Sequence, residues 1–235
     1  MAATVGFLRA VKLAWMHKAA QLVLEDKNVE QIREELTAYL GREIKSATSI
    51  RKTRDILTTA WINPSKELAD IRKAALAAYI PSGADRYALP YCALLAAFPI
   101  FADTCALIGK LATIQDEFTT AWLREKLFEI WGERETVADA LKYILQTLTD
   151  FGVIVRTKAG SSQIAARDVA SMDVIHVMLT TILRMKERSY YEVGELASVP
   201  WLFPFRFSVS IDWLHNAPEY QLNRCGGKMT VALRE

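Results

Sequence analysis

The sequence predicts a mainly α protein, a bundle of amphipathic helices that includes a helix-turn-helix followed directly by a short β-hairpin. Three observations point there. Apolar residues recur at i, i+3/i+4, i+7 spacing through most of the chain. Gly and Pro number only 10 and 7 in 235 residues, about 7% together where roughly 12% is usual, and so few chain breakers favour long helices. At Gly152 the periodicity switches from helical to strand-like. Hydrophobic residues make up 51% and charged residues 24%, which excludes a chain too polar to offset the entropy of ordering.

Residues 6–24 carry Leu8, Val11, Leu13, Trp15, Ala19 and Leu22 on one stripe, which predicts a first helix. The EDKN stretch breaks it, and Asn28 can cap a second helix with Val29, Ile32, Leu36 and Leu40 inward. Gly41 ends that helix at a C′ position. Ser46, Thr48 or Ser49 can cap a third helix carrying Ile50, Ile56, Leu57 and Trp61, stopped by Asn63-Pro64. Ser65 starts a fourth, KELADIRKAALAAYI, which ends at Pro81-Ser82-Gly83. Ala84–Ile114 reads as one or two buried helices, bent or divided near Pro99.

Residues 115–131 form a further helix with Phe118, Trp122, Leu123, Leu127, Ile130 and Trp131 on its apolar face, and Gly132 ends it. Thr136 can cap VADALKYILQTLTDF, whose inward residues are Val137, Leu141, Ile144, Leu145, Leu148 and Phe151. After Gly152, Val153–Arg156 and Gln163–Ala165 flank the polar tip TKAGSS, a hairpin pattern. Helix, short turn, helix and hairpin is the order of a winged helix-turn-helix, although helical proteins also use such a hairpin as a plain connector. Another helix spans Met172–Lys186, PWLFPF at 200–205 reads as a packed loop, and MTVALRE as a short strand. The organisation expected is an N-terminal helix-turn-helix-like bundle over 1–83 and a central helical core with the winged-helix-like element over 84–170. A C-terminal helix with an irregular and strand tail follows over 171–235.

The longest uncharged run, Tyr87–Ala102, holds 16 residues and two prolines. A membrane-spanning helix needs about 20 predominantly apolar residues, so this run is expected to be a buried core helix. The three cysteines form no CxxC pair, and the three histidines stand apart from one another, so neither a disulfide framework nor a metal site is expected. Free thiols fit a reducing compartment, and a cytoplasmic location is expected. Phosphate-loop, dinucleotide-binding and nucleophile-elbow signatures are missing, and no enzymatic activity, cofactor or small-molecule substrate is expected.

Net charge is only +2, so nucleic-acid binding must rest on local clustering. Between Arg42 and Lys73 stand eight basic residues (Arg42, Lys45, Arg51, Lys52, Arg54, Lys66, Arg72, Lys73) against four acids. Cations beside hydroxyls on one exposed helix face suit phosphate oxygens; a solvated face with intrahelical pairs such as Arg51–Asp55 is the alternative. A second set, Arg134, Lys142, Tyr143, Arg156 and Lys158, falls on the recognition-like helix and the wing.

The segment from Lys12 to Trp61, with AAQLVLEDKNVEQIREEL and SATSIRKTRDIL, resembles BrxA proteins of bacterial BREX phage-defence systems. So does PYCALLAAFPIFAD…IGKL through WGERETV and the DFG at 150–152. The resemblance covers roughly residues 12–235 and is looser in the C-terminal third. It implies a fold similar to the NusB transcription antitermination factor, with a winged element appended. It also implies a non-enzymatic accessory protein that binds double-stranded DNA, largely independently of sequence, beside other BREX subunits. Two readings stand next to it: a protein–protein adaptor docking through the bundle and the PWLFPF loop, and RNA binding by analogy with the NusB-like fold.

Overall fold

The computed structural model describes residues 4–62, 69–185 and 188–234. The chain is mostly helical with small sheets, as the periodicity predicts. α1 (Leu13–Leu24), α2 (Val29–Leu40), α3 (Ala47–Trp61) and α4 (Ala69–Ala77) lead into α5 (Ala88–Ala97) and α6 (Pro99–Ala112). Asn28 caps α2 in a full capping box, accepting from the Gln31 N–H while the Gln31 side chain accepts from Asn28 N–H. Gly41 follows α2 with right-handed helical dihedrals rather than the left-handed turn expected of a C′ glycine. Ser46 is the cap of α3 among the three candidates. The expected stop at Asn63-Pro64, the Ser65 start of the fourth helix and Lys66 lie outside the described residues, as does Lys186.

The first helix starts later than its stripe suggests. Residues 4–12 form an irregular strap, turned at Gly6, in which Phe7 packs edge-on against Phe98 at 5.2 Å and beside Phe101 at 5.7 Å. Val11 N–H then donates to Thr147 Oγ1 at 3.0 Å, and Leu13 N–H to Asp150 Oδ1 at 2.7 Å. Burial of one phenylalanine and these two long-range bonds outweigh the local helical pattern.

The apolar run divides at Phe98. α5 is buried on all sides, α6 starts on Pro99, and the chain turns through 116° between them. No single described helix is long and apolar enough to cross a membrane. The longest described helix, α8 (Glu135–Asp150), has 16 residues. α4 and α5 pack on α9 (Met172–Arg184), and α3 packs on α5, around one continuous apolar core. The PWLFPF segment is a packed loop, with a 3-10 turn at Pro200–Leu202 lying on α6.

Between α6 and α9 the order is β1 (Glu117–Thr119), α7 (Thr120–Trp131), α8 (Glu135–Asp150), β2 (Ile154–Lys158), β3 (Ser161–Ile164) and β4 (Arg167–Asp168). β1, β3 and β2 make one antiparallel sheet in that spatial order. The start of the helix predicted at 115 is therefore a strand, which exists because β3 offers it an edge. Further on come β5 (Tyr191–Glu192), β6 (Phe205–Arg206), α10 (Ile211–Asn216), β7 (Tyr220–Cys225) and β8 (Lys228–Leu233). β4 pairs with β6, and β5, β8 and β7 form a second antiparallel sheet. Gly226 and Gly227, both with positive φ, make the β7–β8 turn, and Lys228 bonds Glu192 at 2.8 Å.

Candidate nucleic-acid interface

The unit from α6 to β3 is assembled by local signals and one buried stripe. Thr119 caps α7, accepting from Trp122 N–H at 3.2 Å. Gly132, at φ +80, breaks α7 with a conformation that a side chain would strain. Arg134, not Thr136, stands at the N-cap of α8 and supplies no side-chain cap. Val137, Leu141, Ile144, Leu145 and Leu148 are buried as their spacing requires, and Gly152 at φ +68 turns the chain into β2. Trp122 and Trp131, expected in the core, are half-buried. The Trp131 indole N–H instead donates to Asp103 Oδ2 at 2.8 Å, fastening α7 to α6.

Arg156 and Lys158 are exposed on the hairpin, whose tip turns at Gly160. The β2–β3 register shifts between them, and Thr157 donates to Glu117 Oε1 at 2.8 Å, tying the hairpin to β1. Lys158 borders a cleft of about 690 Å³ shared with Asp116, Glu117 and Trp122.

The exposed face of α8 has a different character. Lys142 is solvent-facing, but Glu135, Asp139 and Asp150 are exposed on the same helix, with Glu133 just before it. Arg134 is half-buried, donates to the Trp131 carbonyl at 2.9 Å, and shares a cleft of about 1030 Å³ with Glu125, Glu129, Glu133 and Glu135. Tyr143 is engaged by Arg9, a residue that no local pattern singles out. The Arg9 guanidinium lies 5.4 Å from the Tyr143 ring and donates to its hydroxyl at 3.0 Å.

In the N-terminal set, Lys45 and Arg51 are exposed and Lys52 is half-buried, and none of the three forms an ion pair among the described residues. Arg42, also exposed, lies 5.8 Å from the Tyr39 ring centre. The Arg51–Asp55 pair does not form; Asp55 stands 3.6 Å from Arg54 instead. Arg54 is partly buried and donates to Thr37 Oγ1 at 3.1 Å, joining α3 to α2. Arg72 donates to the carbonyls of Trp61 and Ile62 at 3.3 and 2.7 Å, satisfying the C-terminal end of α3. Lys73 lies apart, in a cleft with His176 and Arg184. Glu43 is taken up by Lys12 at 2.5 Å and by the Trp15 indole N–H at 3.1 Å. The hydrogen bond from Lys12 holds the Glu43 carboxyl below its usual range and raises the Lys12 ammonium.

Of the described cations selected from the sequence, those left without an ion pair and exposed or half-exposed are thus Arg42, Lys45, Arg51 and Lys52 in the N-terminal bundle, with Arg156 and Lys158 on the hairpin. Lys142 stands among carboxylates, whereas Arg54, Arg72 and Arg134 hold elements together. Among the described residues no group of three or more His, Cys, Asp or Glu is placed to hold a metal ion. Comparison of the chain with protein-family models, curated proteins and solved structures finds no match.

Proposed function

We propose that this chain is a cytoplasmic, non-enzymatic accessory protein that binds duplex DNA, in keeping with its resemblance to BrxA proteins and a place beside other BREX subunits. The observation that carries the reading is the succession α6, β1, α7, α8, β2, β3 with sheet order β1-β3-β2, ending in a hairpin that exposes Arg156 and Lys158. That is the succession of a winged helix-turn-helix; α1–α5 are the part we read as NusB-like.

The contacts follow from charge. Carboxylates on the outer face of α8 oppose deep insertion into a groove lined by phosphates, and Arg134 and Tyr143 are held within the fold. The wing and the N-terminal cations therefore do the binding, through the phosphate backbone and with little base readout. Six phosphate contacts give a log–log salt slope of about −5 on duplex DNA. Fluorescence anisotropy with a labelled duplex at several salt concentrations tests this. Arg156→Ala with Lys158→Ala is expected to weaken binding and make the slope about 2 units shallower. Unchanged affinity and slope would reject the wing as a contact.

The acidic, half-apolar cleft between α7 and α8, with Trp122 and Phe128 in its walls and Ile130 56% exposed nearby, favours the adaptor reading as a second one. Capture of neighbouring gene products that survives nuclease treatment supports the adaptor. Competition by structured RNA against duplex DNA tests RNA binding.

A further inference from the structure

A recess of about 850 Å³ lies between α1, the end of α2 and the chain that follows α4. α1 supplies His17 and Lys18, the end of α2 supplies Tyr39 and Arg42, and the chain after α4 supplies Tyr79 and Arg86. These residues come from three separated stretches, so no local motif announces them.

The recess is cationic, with Lys18, Arg42 and Arg86 against the single carboxylate of Glu25. Among the described residues, Lys18, Arg42 and Arg86 have neither an ion-pair nor a hydrogen-bond partner. Arg86 Nε is buried without an acceptor, as is Nε of Arg54, Arg72 and Arg184. One carboxylate, Glu25, lines the recess and attracts Lys18, and the neighbouring Asp85 is taken up by the backbone. Glu25 pairs with Lys27 at 2.8 Å and accepts from Gln21 at 2.9 Å. Asp85 accepts from the Ala170 and Ser171 N–H groups at 2.8 and 2.7 Å.

The recess is also aromatic. Arg86 lies 5.3 Å from the Tyr79 ring centre and Arg42 5.8 Å from that of Tyr39. His17 meets Tyr79 edge-on at 5.7 Å and shares a hydrogen bond with its hydroxyl. Burial and the neighbouring Arg86 lower the His17 pKa, which keeps the ring neutral. Ile80 and Leu24, 79% and 41% exposed, add apolar surface at the rim. Guanidinium groups backed by aromatic rings present N–H donors to a phosphate, and aromatic and aliphatic faces accept a flat base by stacking.

We infer that this recess binds one nucleotide unit, its phosphate held by Lys18, Arg42 and Arg86 and its base against Tyr39, His17 and the Ile80 rim. The unit is either a free mononucleotide or the unpaired end of a nucleic-acid strand. The recess shares Arg42 with the duplex reading, but the wing takes no part in it, so the wing variant tells the two apart.

Isothermal titration with adenosine 5′-monophosphate, inorganic phosphate, adenosine and a 5′-phosphorylated single-stranded octanucleotide tests it. The mononucleotide is expected to bind at least tenfold more tightly than phosphate or adenosine alone. Lys18→Ala with Arg42→Ala, two surface changes, is expected to cost tenfold or more with an unchanged thermal melt. Arg156→Ala with Lys158→Ala is expected to leave the titration as it was, which separates this site from the duplex reading. An octanucleotide tenfold tighter than the mononucleotide identifies a strand end as the ligand, and equal affinities identify the free nucleotide. Neither probe binding at millimolar concentration, phosphate binding as tightly as the mononucleotide, or no effect of the Lys18/Arg42 pair would overturn the inference.

Discussion

Gly109→Ala is the most demanding single test of the packing. Gly109 is buried in α6, where the 3-10 turn at Pro200–Leu202 lies on the helix. A Cβ placed on it would stand 2.0 Å from the Pro200 carbonyl oxygen and 2.8 Å from Pro200 Cα. Opening the first contact to the 3.0 Å limit of real side chains moves the turn by about 1 Å. The turn is not free to move, because the Tyr91 hydroxyl donates to the Trp201 carbonyl at 2.7 Å and Trp201 and Leu202 are buried. Overpacking of this kind costs about 1–3 kcal/mol, and weakening the Tyr91 bond adds about 1 kcal/mol. Alanine returns about 1 kcal/mol of helix propensity. The net loss is about 2 kcal/mol, a fall in Tm of about 4–8 °C for a domain of this size. Differential scanning calorimetry reads it directly. Gly194→Ala, where a Cβ meets nothing within 4 Å, is the control and is expected to leave Tm nearly unchanged. A Gly109→Ala protein that melts with the parent would show that α6 and the turn do not approach so closely.

Asn28→Ala removes the side-chain half of the α2 capping box, the acceptor for the Glu30 and Gln31 N–H groups, and is expected to cost about 1 kcal/mol in chemical denaturation. Of the three cysteines, Cys92 and Cys105 are buried and Cys225 is exposed. Burial pushes the Cys92 thiol up to about 12 and raises Cys105 further. One equivalent of thiol reagent is therefore expected to react with the native chain at pH 7.5, at Cys225, and three after denaturation; mass spectrometry after tryptic digestion locates the label. His17 is disfavoured as a cation by burial and by Arg86, so the unfolded chain takes up its proton near pH 6.5 and the folded chain only at lower pH. The unfolded state then binds more protons, and stability is expected to fall as pH drops from 6.5 toward the folded value. His17→Gln should flatten urea midpoints in that window, above the range where carboxylates titrate; an identical pH profile for the two proteins would contradict this.

What the sequence made legible was whatever local spacing decides. The α8 stripe from Val137 to Leu148, the Asn28 and Ser46 caps, the break beside Pro99 and the hairpin after Gly152 all follow from neighbours within a few residues. β1 was not legible, because Glu117–Thr119 has strand character only once β3 lies beside it. The strap over 4–12 has a helical stripe in Leu8 and Val11, but the Phe7 contacts with Phe98 and Phe101 and the Val11–Thr147 bond override it. The charged residues show the same divide. Arg54, Arg72 and Arg134 look no different in sequence from Arg51 or Arg156, and only Thr37, the α3 carbonyls and the Trp131 carbonyl reveal that they clasp the fold. The recess around Tyr79 was hidden for a related reason, since the residues that line it are spread from position 14 to position 86.

The strap also sets how a force would travel. Arg9, Val11 and Leu13 grip Tyr143, Thr147 and Asp150 on successive turns of α8, directly beneath the hairpin. A tug on the leading residues is therefore felt at the root of the wing, as with a guy-rope pegged along a mast.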